Sequence, residues 1–135
     1  MKYKILLCLF AISFLASAML AIPASSTFCL KTHDGKAGCD VVAASSHSKI
    51  LGFSNAYIGI LAFGILTIFS AILIRKQSQS IEWLVYLGVF FSAIVSAYFL
   101  YLQAFVISAY CTYCLVIDLS SIISLGVVLY FEVVK

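Results

Sequence analysis

Long uncharged stretches dominate the chain, and polar residues are concentrated in the segments between them. One stretch runs from Ile5 to Leu30 around Pro23, a second from Ile50 to Ile74, and a third from Trp83 to Ile117, continuing beyond Asp118. A helix needs about 20 predominantly apolar residues to cross a bilayer. The first two stretches therefore predict one spanning helix each.

The third stretch is too long for one crossing. A straight helix from Trp83 to Phe131 would extend about 70 Å at about 1.5 Å per residue, against a hydrocarbon core about 30 Å thick. The chain must reverse direction, and Ala104 to Tyr110 is the most polar candidate region, because Gln103 and Ser108 lie at or within it. The four predicted spans are Lys4 to Ile22, Ser54 to Ile74, Glu82 to Gln103 and Tyr110 to Phe131.

Composition supports a membrane protein. Of 135 residues, 64% are hydrophobic and 10% are charged, whereas a soluble domain has about 25% charged residues. We therefore expect an all-α integral membrane protein in which residues 1–135 form one domain, a four-helix bundle with an outer loop over residues 23–53. The lipid bilayer is an expected partner, and a nucleic acid is not.

Basic residues orient the bundle, since short cytoplasmic loops retain lysine and arginine. One side of the four-span path carries Lys2, Lys4, Arg75, Lys76 and Lys135. We expect this side, with both chain ends, to be cytoplasmic, although three lysines of the outer loop weaken the bias. An alternative interpretation is an N-terminal signal peptide with a cleavage motif at 16–18 or 21–24. It would leave three spans and place the last lysine outside, against the charge pattern.

The outer loop divides into two parts. Residues 27–39 are polar and contain two glycines, so we expect a mobile excursion. Asp40 is placed to accept hydrogen bonds from the first amides of a short helix from Val41 to Lys49. We predict that this helix lies at the membrane interface and leads into the second span.

Four of the five cysteines fall on the predicted outer side, where disulfides persist. Cys29 and Cys39 lie in the loop, and Cys111 and Cys114 form a CxxC motif at the start of the last span. Oriented amides at a helix start stabilise the thiolate, which is the nucleophile of disulfide exchange. Two dithiols beside one bilayer predict electron transfer between protein thiols and a lipid-soluble molecule. Cys8, the fifth cysteine, is expected to be a small buried hydrophobe.

Two other interpretations of the four cysteines remain open. A zinc site would combine the CxxC motif with Cys29 and Cys39, but the nine residues between those two fit ligand spacing poorly, and no metal is expected. A structural disulfide is a closer competitor, because four cysteines on an oxidising side permit three pairings.

Asp118 is the most costly residue of the last span, because carboxylates inside a bilayer are expensive and usually functional. Helical spacing places Cys111, Cys114 and Asp118 on one stripe. A proton-handling role and a hydrogen-bonded packing role are both consistent with this position. Aromatic residues such as Phe53 and Tyr57 are predicted to form an interfacial belt, part of which would line a planar ligand.

Together, these features resemble the vitamin K epoxide reductase family. The resemblance rests on Cys29, on the segment from Cys39 to Ser45, on the segment from Gly52 to Gly59, and on the CxxC motif at the head of the last span. Their order and spacing match over nearly the whole chain, including the Asn-x-x-x-Gly pattern that opens span two. The resemblance implies a four-helix bundle around a quinone pocket, roofed by the loop and its short helix.

Carried over by position, the resemblance also implies residue roles. Cys29 and Cys39 would be a shuttle pair that exchanges with a separate thioredoxin-fold partner, and Cys39 would form a transient disulfide with Cys111. Cys114 would lie next to the quinone ring. The predicted quinone contacts are Asn55 as a hydrogen-bond donor, Ser45 in the upper wall, Phe53, Tyr57 and Asp118. At the last position vertebrate members have tyrosine, so the contact there departs from the family pattern.

We expect electrons to run from secreted-protein thiols through the partner and both cysteine pairs to a quinone of ubiquinone or menaquinone type. Only a good electron sink regenerates a strongly oxidising partner. The predicted protein is a disulfide-generating quinone reductase of a prokaryotic plasma membrane. Two alternatives remain. One is a vitamin K epoxide reductase with the same electron pathway, and the other is a non-enzymatic membrane protein whose outer loop is cross-linked by disulfides.

Overall fold

The described part of the chain folds into four long helices. A computed structural model describes residues 1–22, 49–50, 53–107 and 112–135. Helix α1 spans Lys2–Ala21, α2 spans Asn55–Arg75, α3 spans Gln79–Tyr101 and α4 spans Thr112–Val134. A π-helical segment, Leu102–Ile107, extends α3. Two short antiparallel strands, β1 (Lys49–Ile50) and β2 (Phe53–Ser54), precede α2.

All four helices are long and apolar enough to cross a membrane. The predicted all-α membrane bundle is therefore confirmed. The predicted interfacial helix and most of the outer loop lie outside the described residues.

The third span differs from the prediction at its end. Helical structure continues to Ile107, beyond Ala104, where the predicted reversal begins. Residues 104–107 are all apolar, so the bilayer favours a hydrogen-bonded helical backbone there over an open turn.

Ion pairs define one end of the bundle. The Lys2 amine lies 3.1 Å from the Glu82 carboxylate of α3 and 3.1 Å from the Glu132 carboxylate of α4. The start of α1, the start of α3 and the end of α4 therefore lie together. The opposite end holds Asn55 at the start of α2, the π-helical segment, and Cys114 in the first turn of α4. We call these the Lys2 end and the Cys114 end.

The helices form an antiparallel ring. Helix α1 packs against α2 and α4, while α3 packs against α4 and less extensively against α2. Many large apolar side chains are exposed on the outside of the ring. Such a surface suits lipid tails, which are as apolar as leucine.

Large apolar side chains are buried from the Lys2 end to the middle of the bundle. We call this set the apolar core, and its members are Leu6, Phe10, Phe63, Leu66, Leu73, Val85, Val89 and Val128. None of them is more than 7% exposed. The rings of Phe10 and Phe63 pack between α1 and α2 with their centroids 6.5 Å apart.

Buried residues toward the Cys114 end are mostly small or polar. They are Ala16, Ser17, Ala56, Ala93, Ser96, Gln103, Asp118, Ser120 and Ser121, with Leu102 as a larger exception. Small residues let helix backbones approach closely in a membrane. A β-carbon at Gly59 of α2 would lie only 2.7 Å from the Ser17 Oγ of α1, so these two helices are in tight contact here.

Candidate functional site

Cys114 and Asp118 connect the end of the bundle to its interior. Cys114 lies in the first turn of α4 and is half-buried. Asp118 follows four residues later and is 4% exposed. Because an α-helix rises about 1.5 Å per residue, the two residues are about 6 Å apart along the axis and share one face. The carboxyl group therefore lies one turn below the sulfur.

Side chains of the neighbouring helix hold the Asp118 carboxyl group. Gln103 Nε2 donates a hydrogen bond to Asp118 Oδ2 at 3.2 Å, and the Ser96 hydroxyl is a second hydrogen-bonding neighbour. Gln103 is 2% exposed and Ser96 is 4% exposed. Hydrogen bonds to a carboxylate are among the stronger ones in proteins. They offset part of the cost of burying this group in a bilayer. We call these three residues the Asp118 site.

Gln103 is a site residue that sequence reasoning used only as a marker of chain reversal. It lies in the π-helical segment, and such segments are frequent at functional sites. One signal was available in the sequence, because Gln103 is the only amide side chain between Trp83 and Ile117. A lone amide in a spanning helix needs a partner, and the carboxyl group of the next span is the obvious polar candidate.

Two predicted quinone contacts lie at the start of α2. Asn55 is its first residue and is half-buried, whereas Tyr57 is 58% exposed. Gly59, one turn after Asn55, faces Ser17 of α1, and residues four apart share a helix face. Asn55 therefore lies on the α1-facing side of α2. The quinone contacts of Asn55 and Tyr57 stay predictions.

The remaining predicted site residues cannot be placed around Cys114. Cys29, Cys39, Ser45 and Cys111 lie outside the described residues. Phe53 is described only by its backbone, in β2. Their roles also stay predictions.

Cys8 does not have the predicted position. Its side chain is exposed on the outside of α1. The interior face of this helix is taken by Leu6, Phe10, Ser13 and Ser17 with their neighbour Ala16. In a bilayer the outside of the helix meets lipid, so an apolar environment for Cys8 does not require burial in the protein. The expectation of a buried cysteine was wrong.

Charged and aromatic residues form a cluster at the opposite end, and we call it the Lys2 cluster: Lys2, Tyr3, Glu82, Tyr86 and Glu132. Besides the two ion pairs of Lys2, the Tyr86 hydroxyl lies 2.6 Å from a Glu82 oxygen and 2.5 Å from a Glu132 oxygen. The Tyr3 hydroxyl donates to Glu82. The Lys2 amine also lies 4.9 Å and 5.1 Å from the ring centroids of Tyr3 and Tyr86. These contacts tie α1, α3 and α4 together.

One protein family matches this chain. The vitamin K epoxide reductase family matches residues 4–129, which run from α1 into α4 and include Gln103, Cys114 and Asp118. The chain belongs to this family. Comparisons with curated proteins and with solved structures gave no match.

Members of the vitamin K epoxide reductase family are oxidoreductases linked to quinone or vitamin K substrates. The family match and the four apolar helices together make this chain a multi-pass membrane protein. The resemblance drawn from the cysteine motifs is confirmed. Three members of the Lys2 cluster, Lys2, Tyr3 and Glu132, lie just beyond the matched residues, whereas the Asp118 site lies within them.

Proposed function

We propose that the protein is a membrane thiol oxidoreductase that oxidises a thioredoxin-fold partner and reduces a quinone inside the bilayer. Two electrons pass from the partner to the Cys29 and Cys39 pair, then to Cys111 and Cys114, and finally to the quinone. The dithiol of the partner becomes a disulfide, and the quinone becomes a hydroquinone. The reaction would support disulfide formation in secreted proteins.

The observation that carries this proposal is the buried pair of Asp118 and Gln103 one turn below Cys114. Buried polar groups are costly in a membrane and mark functional sites. A quinone has two carbonyl oxygens that take up protons when it is reduced. A carboxyl group and an amide beside a redox sulfur match that need.

The residues around the pair also suit a planar ligand. Alanine and serine are the main buried residues toward the Cys114 end, and Leu102 is the exception among the larger apolar side chains. Short side chains in this part of the bundle favour a flat ring between the helices. We place the quinone there, with Asn55, Ser45, Phe53 and Tyr57 as further contacts from α2 and the outer loop.

The charge distribution supports an orientation. The Lys2 end carries the basic residues of α1 and α2, and basic residues are retained on the cytoplasmic side. We propose that the Lys2 end is cytoplasmic and that Cys114 faces the oxidising side, where disulfides persist. A plasma membrane of a prokaryote fits this arrangement.

Quinone reduction by the purified protein tests the proposal. A reduced thioredoxin-fold donor is added to the protein in lipid with ubiquinone or menaquinone, and the quinone absorbance is followed. Wild type should consume quinone. Cys114→Ser should lose turnover and accumulate a Cys39–Cys111 disulfide or a mixed disulfide with the donor, identified by non-reducing mass spectrometry, because a serine cannot complete the exchange.

Cys8→Ser is the matched control, because it removes a sulfur from the exposed side of α1. Its turnover should stay within about twofold of wild type, as expected for a residue away from the chemistry. Wild type that reduces no quinone, or Cys114→Ser that turns over normally, would count against the proposal. Vitamin K epoxide offered in place of quinone tells the two acceptors apart in the same assay.

A further inference from the structure

Asp118 is isolated from every other charged side chain of the described helices. The others all lie within a turn of the Lys2 end: Lys2, Lys4, Arg75, Glu82 and Glu132. Asp118 is also almost fully buried. Among the described helices, a carboxyl group in this position has no ion-pairing role, and its neighbours are hydrogen-bonding groups.

Gln103 gives the carboxyl group a defined orientation. Its amide nitrogen donates to Asp118 Oδ2, so this oxygen is held toward α3. The Ser96 hydroxyl is a second hydrogen-bonding neighbour of the carboxyl group, and Cys114 lies one turn above on the same helix face. This is the arrangement expected of a group that meets a ligand bound next to the sulfur.

The redox reaction of the proposed function needs such a group. Oxidation of the Cys111 and Cys114 thiols to a disulfide releases two protons and two electrons. Reduction of the quinone consumes two electrons and two protons. The electrons travel through the sulfur, but a quinone bound beside Asp118 needs a proton donor within hydrogen-bonding reach of its oxygens.

Few other described groups near Asp118 can carry a proton. On α4 these are Cys114 and the half-buried Tyr113, while Tyr98 and Tyr101 of α3 are exposed on the outside of the bundle. Helix α1 adds no charged or titratable group toward the Cys114 end, and α2 adds only Tyr57, which is exposed. Asp118 is the one carboxyl group among them.

The apolar core separates Asp118 from the Lys2 end. Its eight side chains come from all four helices and are at most 7% exposed. It contains no titratable residue. The buried hydroxyl groups beside it, those of Ser13, Ser70 and Ser124, are not titratable either, and an unsolvated charge among these side chains would be very costly. Protons can therefore reach Asp118 more easily from the Cys114 end.

We infer that Asp118, positioned by Gln103, donates protons to the reduced quinone and regains them only from the Cys114 end of the bundle. This inference rests on the proposed quinone reduction. The thiols then release protons on the same side of the membrane from which the quinone takes protons up. Turnover consequently moves no net charge across the protein.

Substitutions test the proton donor. Asp118→Asn should slow quinone reduction about a hundredfold, the size expected for loss of a general acid, and should flatten its pH profile. Disulfide exchange with the donor protein should be unchanged. Asp118→Glu should restore part of the rate. Gln103→Leu should shift the pH profile with a smaller loss of rate, because Gln103 acts only by positioning the carboxyl group.

Ser124→Ala is the control for this series. Ser124 is fully buried on the same helix, and its hydroxyl donates to the Ser120 carbonyl at 2.7 Å. Its rate and pH profile should match those of wild type. An Asp118→Asn protein with the wild-type pH profile and rate would overturn the proton-donor role and reduce Asp118 to a packing residue.

Sealed vesicles test the side of proton uptake. A membrane-impermeant reduced thioredoxin-fold donor, added outside, reacts only with molecules whose Cys114 end faces outward, so their Lys2 end faces the lumen. A pH dye trapped in the lumen should show no alkalinisation while quinone is reduced. Lumenal alkalinisation that accompanies quinone reduction and is lost in Asp118→Asn would overturn the inference and leave the proposed function intact. Wild type that reduces no quinone would instead overturn the proposed function.

Discussion

The half of the bundle toward the Lys2 end buries large apolar side chains and closes with a cluster of ion pairs, whereas the half toward the Cys114 end buries mainly alanine, serine and the Asp118 site. Both halves belong to the same four helices. The two kinds of buried residue are therefore separated along the helix axes, so that the polar groups near Cys114 do not interrupt the apolar packing that holds the bundle.

Membrane physics explains why the packing is needed. Lipid tails are as apolar as leucine, so apolar contact alone does not draw helices together, and close packing and polar contacts must do so. The apolar core supplies the close packing, and the Lys2 cluster supplies the polar contacts. With these in place at one end, the other end can tolerate a buried carboxyl group.

Exchanging residue types between the two halves of the bundle should have the largest effect on the free energy of unfolding. Val89 is 0% exposed in the apolar core, and Val89→Asp should reduce the free energy of unfolding by about 5 kcal/mol, since it loses packing and inserts a carboxyl group without a partner. Unfolding in mixed micelles measures this change.

The reciprocal substitution is the matched control. Asp118→Val should lower the free energy of unfolding by only about 2 kcal/mol, because the hydrogen bonds lost from Gln103 and Ser96 are set against better apolar burial, while quinone reduction is lost. Equal destabilisation by Val89→Asp and Asp118→Val would show that the halves do not differ as described.

Cavity formation in the apolar core should have the next largest effect. Phe10 is 1% exposed and packs against Phe63, so Phe10→Ala should cost about 3 kcal/mol of unfolding free energy. Turnover per folded molecule should persist. Ser13→Ala is the control three residues further along α1, because Ser13 is equally buried but its hydroxyl has no partner among the described residues. A cost at Ser13 as large as at Phe10 would argue against an apolar core.

Overpacking the tight contact between α1 and α2 near the Cys114 end should have a smaller effect on the free energy of unfolding. A β-carbon at Gly59 would meet the Ser17 hydroxyl, so Gly59→Ala should cost about 2 kcal/mol through overpacking. Adding Ser17→Ala should recover most of that loss. Gly126→Ala is the control, because a β-carbon there meets nothing within 4 Å, and better helix propensity should raise stability by about 0.5 kcal/mol or more. Failure of Ser17→Ala to rescue the double variant would rule out this contact as the cause.

A substitution in the Lys2 cluster should give the smallest loss of unfolding free energy. Lys2→Met leaves Glu82 and Glu132 without their shared cation and should cost about 1 kcal/mol, since the pairs are partly exposed. High salt should reduce the difference in unfolding free energy between Lys2→Met and wild type. Lys4→Met is the control, because Lys4 is exposed and forms no ion pair in the described part of the chain. Equal effects of the two substitutions would show that the cluster is not an anchor.

The sequence predicted four spanning helices because the bilayer imposes length and apolarity on each one, and both can be read from uncharged stretches such as Ile50 to Ile74. It also marked Asp118 and Cys114 as neighbours, since four-residue spacing on one helix needs no tertiary information.

Contacts between helices were harder to predict. The pairing of Gln103 with Asp118 depends on the rotation of α3 about its axis and on the π-helical segment, and no proline or glycine in Leu102–Ile107 signals that segment. The outward position of Cys8 was missed for the same reason. A helix that is apolar on all sides does not reveal which face meets lipid.

Photo-cross-linking with an azidoquinone tests most directly whether the small and polar half of the bundle is the quinone site. After irradiation in lipid and digestion, the account predicts adducts on segments around Ser96 to Ile107 and Thr112 to Ser121, all displaced by excess unlabelled quinone. Displaceable adducts confined to the apolar core around Leu6, Val85 or Val128 would contradict it.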